Sequence, residues 1–201
     1  MSETRYPTQK RSVEKRNRII ETGFQMMCEK GFYNTNTSEI AKEAGVSTGI
    51  VYQYFNDKKE IFLEGVKNYS KNILYPMVNI FEKPFSVNKI DVLLEELIDQ
   101  FIKSHTISKK AHEELMAMSY LDNDVAEIFK QDEMDVTLKI VEYLDKNHIK
   151  LDNPVEKIHI IYGIMDNLCH EIVYHKHDEI DYDVMKKEAI QILVNILKGI
   201  S

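Results

Sequence analysis

The sequence predicts an all-α protein in which an N-terminal three-helix unit containing a helix-turn-helix is joined to a larger helical body. Apolar residues recur at spacings of three and four along nearly the whole chain, and no stretch alternates with strand period over more than a few residues. Only four prolines and seven glycines punctuate 201 residues. Capping residues then mark where individual helices start and stop.

The first helix is expected from about Ser12 to Lys30, with Ile20, Phe24 and Met27 on one face and Gly31-Phe32 as a left-handed C-cap with its hydrophobic contact. Thr37 is placed to cap a second helix that ends at Gly45, and Ser47 to cap a third, TGIVYQYF. Asp57 with Glu60 three residues on forms an Asp version of the capping box, opening a fourth helix through Ile61, Phe62 and Val66 toward Tyr75-Pro76. Beyond Pro84, longer helices are predicted over Asn88–Ser104, Lys109–Leu121, Asn123–Asn147, Asn153–Tyr174 and Tyr182–Lys198. The fourth of these opens with Asn153-Pro154-x-Glu156, an N-cap, a proline at the first helical position and a capping carboxylate. The chain divides into residues 1–62 and 63–201.

Composition narrows the class. With 43% hydrophobic residues the chain is long enough to bury a core. The N-terminal MSETRYPTQKRSVEKRNR lacks the apolar region of a leader, and runs such as IIYGIM are far shorter than the roughly 20 residues of a membrane span. A cytoplasmic protein without membrane contact is expected. Cys28 and Cys169 form no CxxC, so reduced, buried thiols are the simplest reading. The net charge of −7 is unevenly spread: residues 1–60 hold ten Lys/Arg against eight Asp/Glu, or +2, leaving −9 for the remainder. Only the N-terminal end is therefore suited to a polyanion.

Within TSEIAKEAGVSTGIVYQYF, the positions Ile40, Ala41, Ala44, Val46, Val51 and Phe55 mark the inward faces of two short helices joined by a three-residue turn. Ala41 is small where the second helix must cross closely, and Gly45 suits the positive φ of a tight turn. The longer stretch EKGFYNTNTSEIAKEAGVSTGIVYQYFNDKKEIF resembles the N-terminal domain of the tetracycline-repressor (TetR) family of bacterial transcriptional regulators. The likeness is carried by Lys30-Gly31-Phe32, by Thr37 three before Ile40-Ala41, by Ala44-Gly45-Val46-Ser47, and by Tyr52-x-Tyr54-Phe55 followed by Lys58-x-x-Ile61. It covers roughly residues 12–72. The C-terminal body resembles the family only in length and helical texture, with a loose match of SHTISKKAHEEL and LDNDVAEIF to one large subgroup.

A recognition helix sets its N-terminal residues against base edges in the major groove, here Ser47, Thr48, Gly49, Ile50, Tyr52 and Gln53. Gly49 lets the backbone come close, Gln53 is suited to a bidentate pair with adenine, and Ile50 to a thymine methyl. Tyr54, the Thr37 hydroxyl and Lys58 are expected at phosphates. Lys10, Arg11, Lys15, Arg16 and Arg18 are further candidates for backbone or minor-groove contacts. Packing of Tyr52 and Tyr54 on the first helix is the competing reading.

The last helix carries two apolar stripes, Ile190–Leu193–Leu197 and Ile192–Ile196–Ile200, and a helix apolar on two sides is buried on two sides. The resemblance implies that the second side meets another copy in a twofold four-helix bundle, giving a homodimer. It also implies a small-molecule effector pocket in the C-terminal helices. Candidate lining residues are Phe101, His105, His112, Met116, Tyr120, Tyr143, Tyr162, Met165 and His170, with Tyr75, Met77, Phe81, Met118 and Met134 as further stock. Met and aromatic residues at helical spacing are also what an ordinary core requires. The segment CHEIVYHKHDEIDYD holds possible metal ligands, but Cys169 and His170 point apart on a helix while His175 and His177 fall near its end, so neither a metal nor a cofactor is expected.

These readings converge on a ligand-responsive regulator, most simply a repressor that binds a palindromic double-stranded DNA operator as a dimer and is released by a small molecule. A metal- or pH-sensing regulator built on the C-terminal histidines is the alternative. The chain has no nucleophile–base constellation, Gly-rich phosphate loop or HExxH, so an enzyme is not expected.

Overall fold

In a computed structural model, the structure describes residues 9–80, 89–106 and 109–198, the side chains of residues 73–80 excepted. The described residues form nine helices: α1 (Lys10–Lys30), α2 (Thr37–Glu43), α3 (Thr48–Tyr54), α4 (Lys58–Ile80), α5 (Ile90–His105), α6 (Lys109–Leu121), α7 (Asn123–Lys146), α8 (Pro154–Tyr174) and α9 (Tyr182–Lys198). Phe81 and Ile200, and the side chains of Tyr75 and Met77, lie outside what is described.

Packing groups the chain into two compact units, Met1–Tyr69 with Lys110–Ile128, and Ser70–Lys109 with Phe129–Ser201. The division expected after residue 62 follows the chain, whereas the packing also draws α6 and the start of α7 to the N-terminal helices.

In the first unit, Ile19, Ile20, Met27, Ile40, Val51, Phe55, Ile61, Phe62 and Val66 are almost fully buried. The phenyl rings of Phe24 and Phe32 pack on Phe62 at 5.8 and 5.2 Å between centroids, tying α1 to α4. Gly65 allows that approach, since a Cβ there would lie 2.4 Å from Phe24 Cδ2. Glu114 of α6 accepts a hydrogen bond from the Phe32 N–H at 2.7 Å. The Lys59 ammonium lies 2.7 and 2.6 Å from Asp122 and Asp124 at the α6–α7 junction.

The capping chemistry departs from expectation in three places. Asn36, not Thr37, caps α2: its carboxamide accepts from the Glu39 N–H at 3.0 Å while the Glu39 carboxylate accepts from the Asn36 N–H. The physical reason is the register, because a box needs its carboxylate three residues after the cap and Thr37 would place Ile40 there. Gly31 has the expected positive φ of 91°, but its ψ of 145° lies outside the left-handed helical region. Asn153 precedes α8 in the left-handed conformation (φ 50°, ψ 57°), without a side-chain cap bond; Pro154 does start the helix. The Asp57 cap is present, its carboxylate accepting from the Glu60 N–H at 3.0 Å, though Glu60 reaches back to the Asn56 N–H.

In the second unit, α5, α8 and α9 pack on one another. Leu94, Ile98, Phe101 and His105 form the inner stripe of α5, facing Ile158, Ile161, Met165 and Leu168 of α8 and Leu193 of α9. The Lys186 ammonium joins α9 to Asp99 and Glu95 of α5. Of the two stripes on α9, Leu193 is fully buried while Ile192 is 51% exposed. Ile160 of α8 is likewise 54% exposed.

Candidate nucleic-acid interface and effector cavity

Helix α3 is held by its inward residues and offers the rest. Val51 and Phe55 are buried against α1 and α2. The turn before α3 is closed by Gly45 at φ 65° and by the Val46 N–H donating to the Ala41 carbonyl at 2.9 Å. Ser47 occupies the N-cap, yet its hydroxyl makes no capping bond. Ser47, Gly49, Tyr52 and Gln53 are exposed, while Thr48, Ile50 and Tyr54 are half-buried. Tyr52, 54% exposed, projects from the unit; the Tyr54 ring packs edge-on against Phe55 at 6.5 Å, so its ring helps to hold the helix.

Two cations assigned to DNA are engaged by the protein itself. The Lys58 ammonium donates to the carbonyls of Phe32 and Thr35 at 2.6 and 2.8 Å, and lies 4.6 Å from the centre of the Phe32 ring. It is therefore first a clamp on the α1–α2 connection. Arg16 bonds to Glu64 at 2.9 Å and its guanidinium lies 5.0 Å from the centre of the Phe55 ring. Burial alone would raise the Glu64 pKa, but Arg16 and Lys67 hold it below the usual carboxylate range. Lys10, Arg11 and Arg18 are exposed and belong to α1. Thr37, in the first turn of α2, is half-buried.

The second unit contains a partly open apolar cavity, about 560 Å³ when the solvent space at its mouth is counted. Leu93, Leu94 and Leu97 of α5, Ile140 and Leu144 of α7, and Ile158 and Ile161 of α8 form aliphatic walls. Tyr143, Tyr162 and Met165 also line it, three of the nine residues expected to do so. Burial pushes both tyrosine pKa values up, with Asp166 and Glu133 adding to the effect at Tyr162, so the phenols stay neutral.

The other six lie elsewhere. Phe101 is core, its ring 4.5 Å from His105 and 6.0 Å from Tyr162 between centroids. His112, Met116 and Tyr120 are on α6, where Tyr120 is 83% exposed. His105 is buried, and its Nδ1–H donates to the Phe101 carbonyl at 2.8 Å. His170 lies beside it, ring centroids 5.1 Å apart; burial lowers its pKa, His105 and His175 add to this, and Asp166 opposes it. Sequence reading favoured aromatic and polar residues for the pocket and passed over the leucines and isoleucines of its walls, which carry no signal distinguishing them from core.

Residues 19–64 match the family described as bacterial regulatory proteins, tetR family. Over 55 residues the chain is 46% identical to the HTH-type transcriptional regulator HbdR of Aromatoleum sp. (strain CIB), covering 27% of this chain and 24% of that protein. The chain spans about a quarter to a half of the length of several curated relatives that it matches. Among solved structures, a TetR-family transcriptional regulator from Mesorhizobium loti has a TM-score of 0.70 at 16% identity, over 96% of this chain and 98% of that one. The fatty acid degradation regulator FadR of Bacillus halodurans has a TM-score of 0.63 at 20% identity, over 90% and 94%. No helix among the described residues is long and apolar enough to cross a membrane. The helix-turn-helix geometry and the sequence match that covers it agree: residues 19–64 form a helix-turn-helix domain of the tetR family, and the chain shares its all-helical fold with TetR-family regulators of known structure.

Proposed function

We propose that the protein is a transcriptional repressor that binds a palindromic operator as a homodimer and leaves it when a small, predominantly apolar molecule fills the cavity of the second unit. The observation that carries the DNA reading is the face of α3: Ser47, Gly49, Tyr52 and Gln53 are exposed at the end of a helix that Val51 and Phe55 immobilise. These residues, with Thr48 and Ile50, read base edges. Thr37, Tyr54 and the third N–H of Lys58 bind phosphates. Exposed Ile160 and Ile192 support pairing of α8 and α9 with a second copy, which would present two recognition helices to half-sites about 34–36 Å apart.

The cavity supports the effector reading, since it is concave and lined by aliphatic and aromatic side chains drawn from four helices, as small-molecule sites are. Its aliphatic walls favour a hydrocarbon-rich molecule, and an effector can release DNA only by binding the two states of the protein unequally. A relation to the fatty acid regulator is in keeping with such a ligand.

Selection of bound duplexes from a random pool tests the central claim. A palindromic consensus is expected; enrichment of a single asymmetric site, or of nothing, would refute dimeric operator binding.

A further inference from the structure

We infer that the cavity of the second unit is a hydrocarbon compartment, which takes an uncharged molecule without hydrogen-bonding groups and refuses ionised acids and amines. The inference rests on the effector reading above and names the chemistry of the ligand. Among the described residues, twelve side chains line the cavity and none of them carries a charge. Helices α5, α7, α8 and α9 supply aliphatic carbons, Met165 a thioether, and Tyr143 and Tyr162 their rings. The tyrosine hydroxyls stay out of the surface that an occupant would touch, which is hydrocarbon throughout. Tyr162 is fixed as a wall by the Phe101 ring behind it, 6.0 Å away between centroids.

Such a lining selects by what it lacks. A water needs two to four polar partners to stay in an enclosed site, and these walls offer none, so an apolar occupant displaces little that is held. An ionised group that entered would lose its hydration and meet no opposite charge. For an anion the case is worse. Burial raises the Tyr162 pKa, and Asp166, Glu133 and Asp132 add to the rise, so that wall stands in the field of carboxylates. Yet no carboxylate lines the cavity to receive a cation. An acid or amine is therefore admitted only with its charge left outside, whereas an aromatic or aliphatic hydrocarbon is accepted whole.

The test uses the full-length protein without DNA and four compact probes of similar shape: toluene, phenol, benzoate and benzylammonium, titrated by calorimetry near neutral pH. One toluene per chain is expected, with a raised melting temperature. Phenol, whose hydroxyl would go unpaired, should bind about tenfold or more weakly, and the two ions more weakly still. Leu93→Gln, at a half-buried lining position of α5, puts a carboxamide on the wall. It should weaken toluene about fivefold or more and narrow its lead over phenol. Val92→Gln, at the neighbouring position, 56% exposed and outside the cavity, should bind toluene as the wild type does. Melting of the unliganded variants separates a changed wall from a lost fold. Absence of toluene binding, binding of phenol or either ion as tight as that of toluene, or a Leu93→Gln protein that binds toluene like the wild type overturns the inference. If an ion binds and toluene does not, the cavity still serves an effector and only its chemistry is overturned. Release of operator DNA by a bound probe is a separate measurement, on which the repressor reading depends.

Discussion

Lys58→Met separates two roles of one side chain. The ammonium donates to two backbone carbonyls at 2.6 and 2.8 Å and stands over the Phe32 ring. Hydrogen bonds to a charged group contribute about 1.5–3 kcal/mol each, and a cation over a ring about 0.5–1 kcal/mol. Against this stands only the entropy of the one extra terminal torsion that lysine orders and methionine lacks, under about 1 kcal/mol. Methionine keeps the stem and its packing but leaves the Phe32 and Thr35 carbonyls without their donor, so the net loss is about 3–6 kcal/mol. For a chain of this length each kcal/mol moves the midpoint by roughly 2–4 °C, so melting should fall by roughly 6–24 °C. Lys59→Met is the control: its partners Asp122 and Asp124 hold it at the surface, where ion pairs contribute little, and its melting point should barely move. A Lys58→Met protein that melts with the wild type would refute the clamp. The phosphate role is read separately, below the melting transition, from the slope of log binding constant against log salt concentration. If the third N–H reaches a phosphate, the slope falls by about one unit per half-site. An unchanged slope would leave Lys58 with a structural role alone.

Two further substitutions test the first unit. Gly65→Ala would place a methyl 2.4 Å from the Phe24 ring and 2.5 Å from its Cβ, an overlap that the phenyl group cannot relieve by rotation alone. A loss of about 1–3 kcal/mol in chemical denaturation is expected, and an unchanged midpoint would show that α1 and α4 do not approach this closely. Glu64 tests the pH response. Its pKa is held below the ordinary carboxylate value in the folded state, so the unfolded chain binds the proton first, and the stabilisation is complete above about pH 4.5 and lost as pH falls through the lower folded value. Glu64→Gln should therefore flatten the acid limb of a stability–pH curve; an acid limb as steep as that of the wild type would assign the effect to other carboxylates.

Much of the fold was legible in the chain because helix periods and caps are local. Gly45 between Ala41 and Val46, Asp57 before Glu60, and Pro154 at the head of α8 are each decided by residues within one turn. The exposed face of α3 was legible for the same reason: once Val51 and Phe55 point inward, a period of 3.6 residues sends Tyr52 and Gln53 outward. Even local reading erred where two neighbours compete, as Asn36 and Thr37 do for one cap, and the register of Glu39 decided between them.

The sequence by itself determined the all-helical class, the helix-turn-helix and the exposed side of α3, all consequences of interactions spanning a few residues. Only the tertiary structure decided which cations are spent on the protein: Lys58 meets carbonyls 23 and 26 residues away, and Arg16 meets Glu64 48 residues on. It likewise gathered Tyr143, Tyr162 and Met165 with aliphatic side chains of α5, α7 and α8 around one cavity. It brought His105 to His170 across 65 positions. A cavity and a cluster are defined by which helices adjoin, and helix spacing within one segment carries no information about its neighbour.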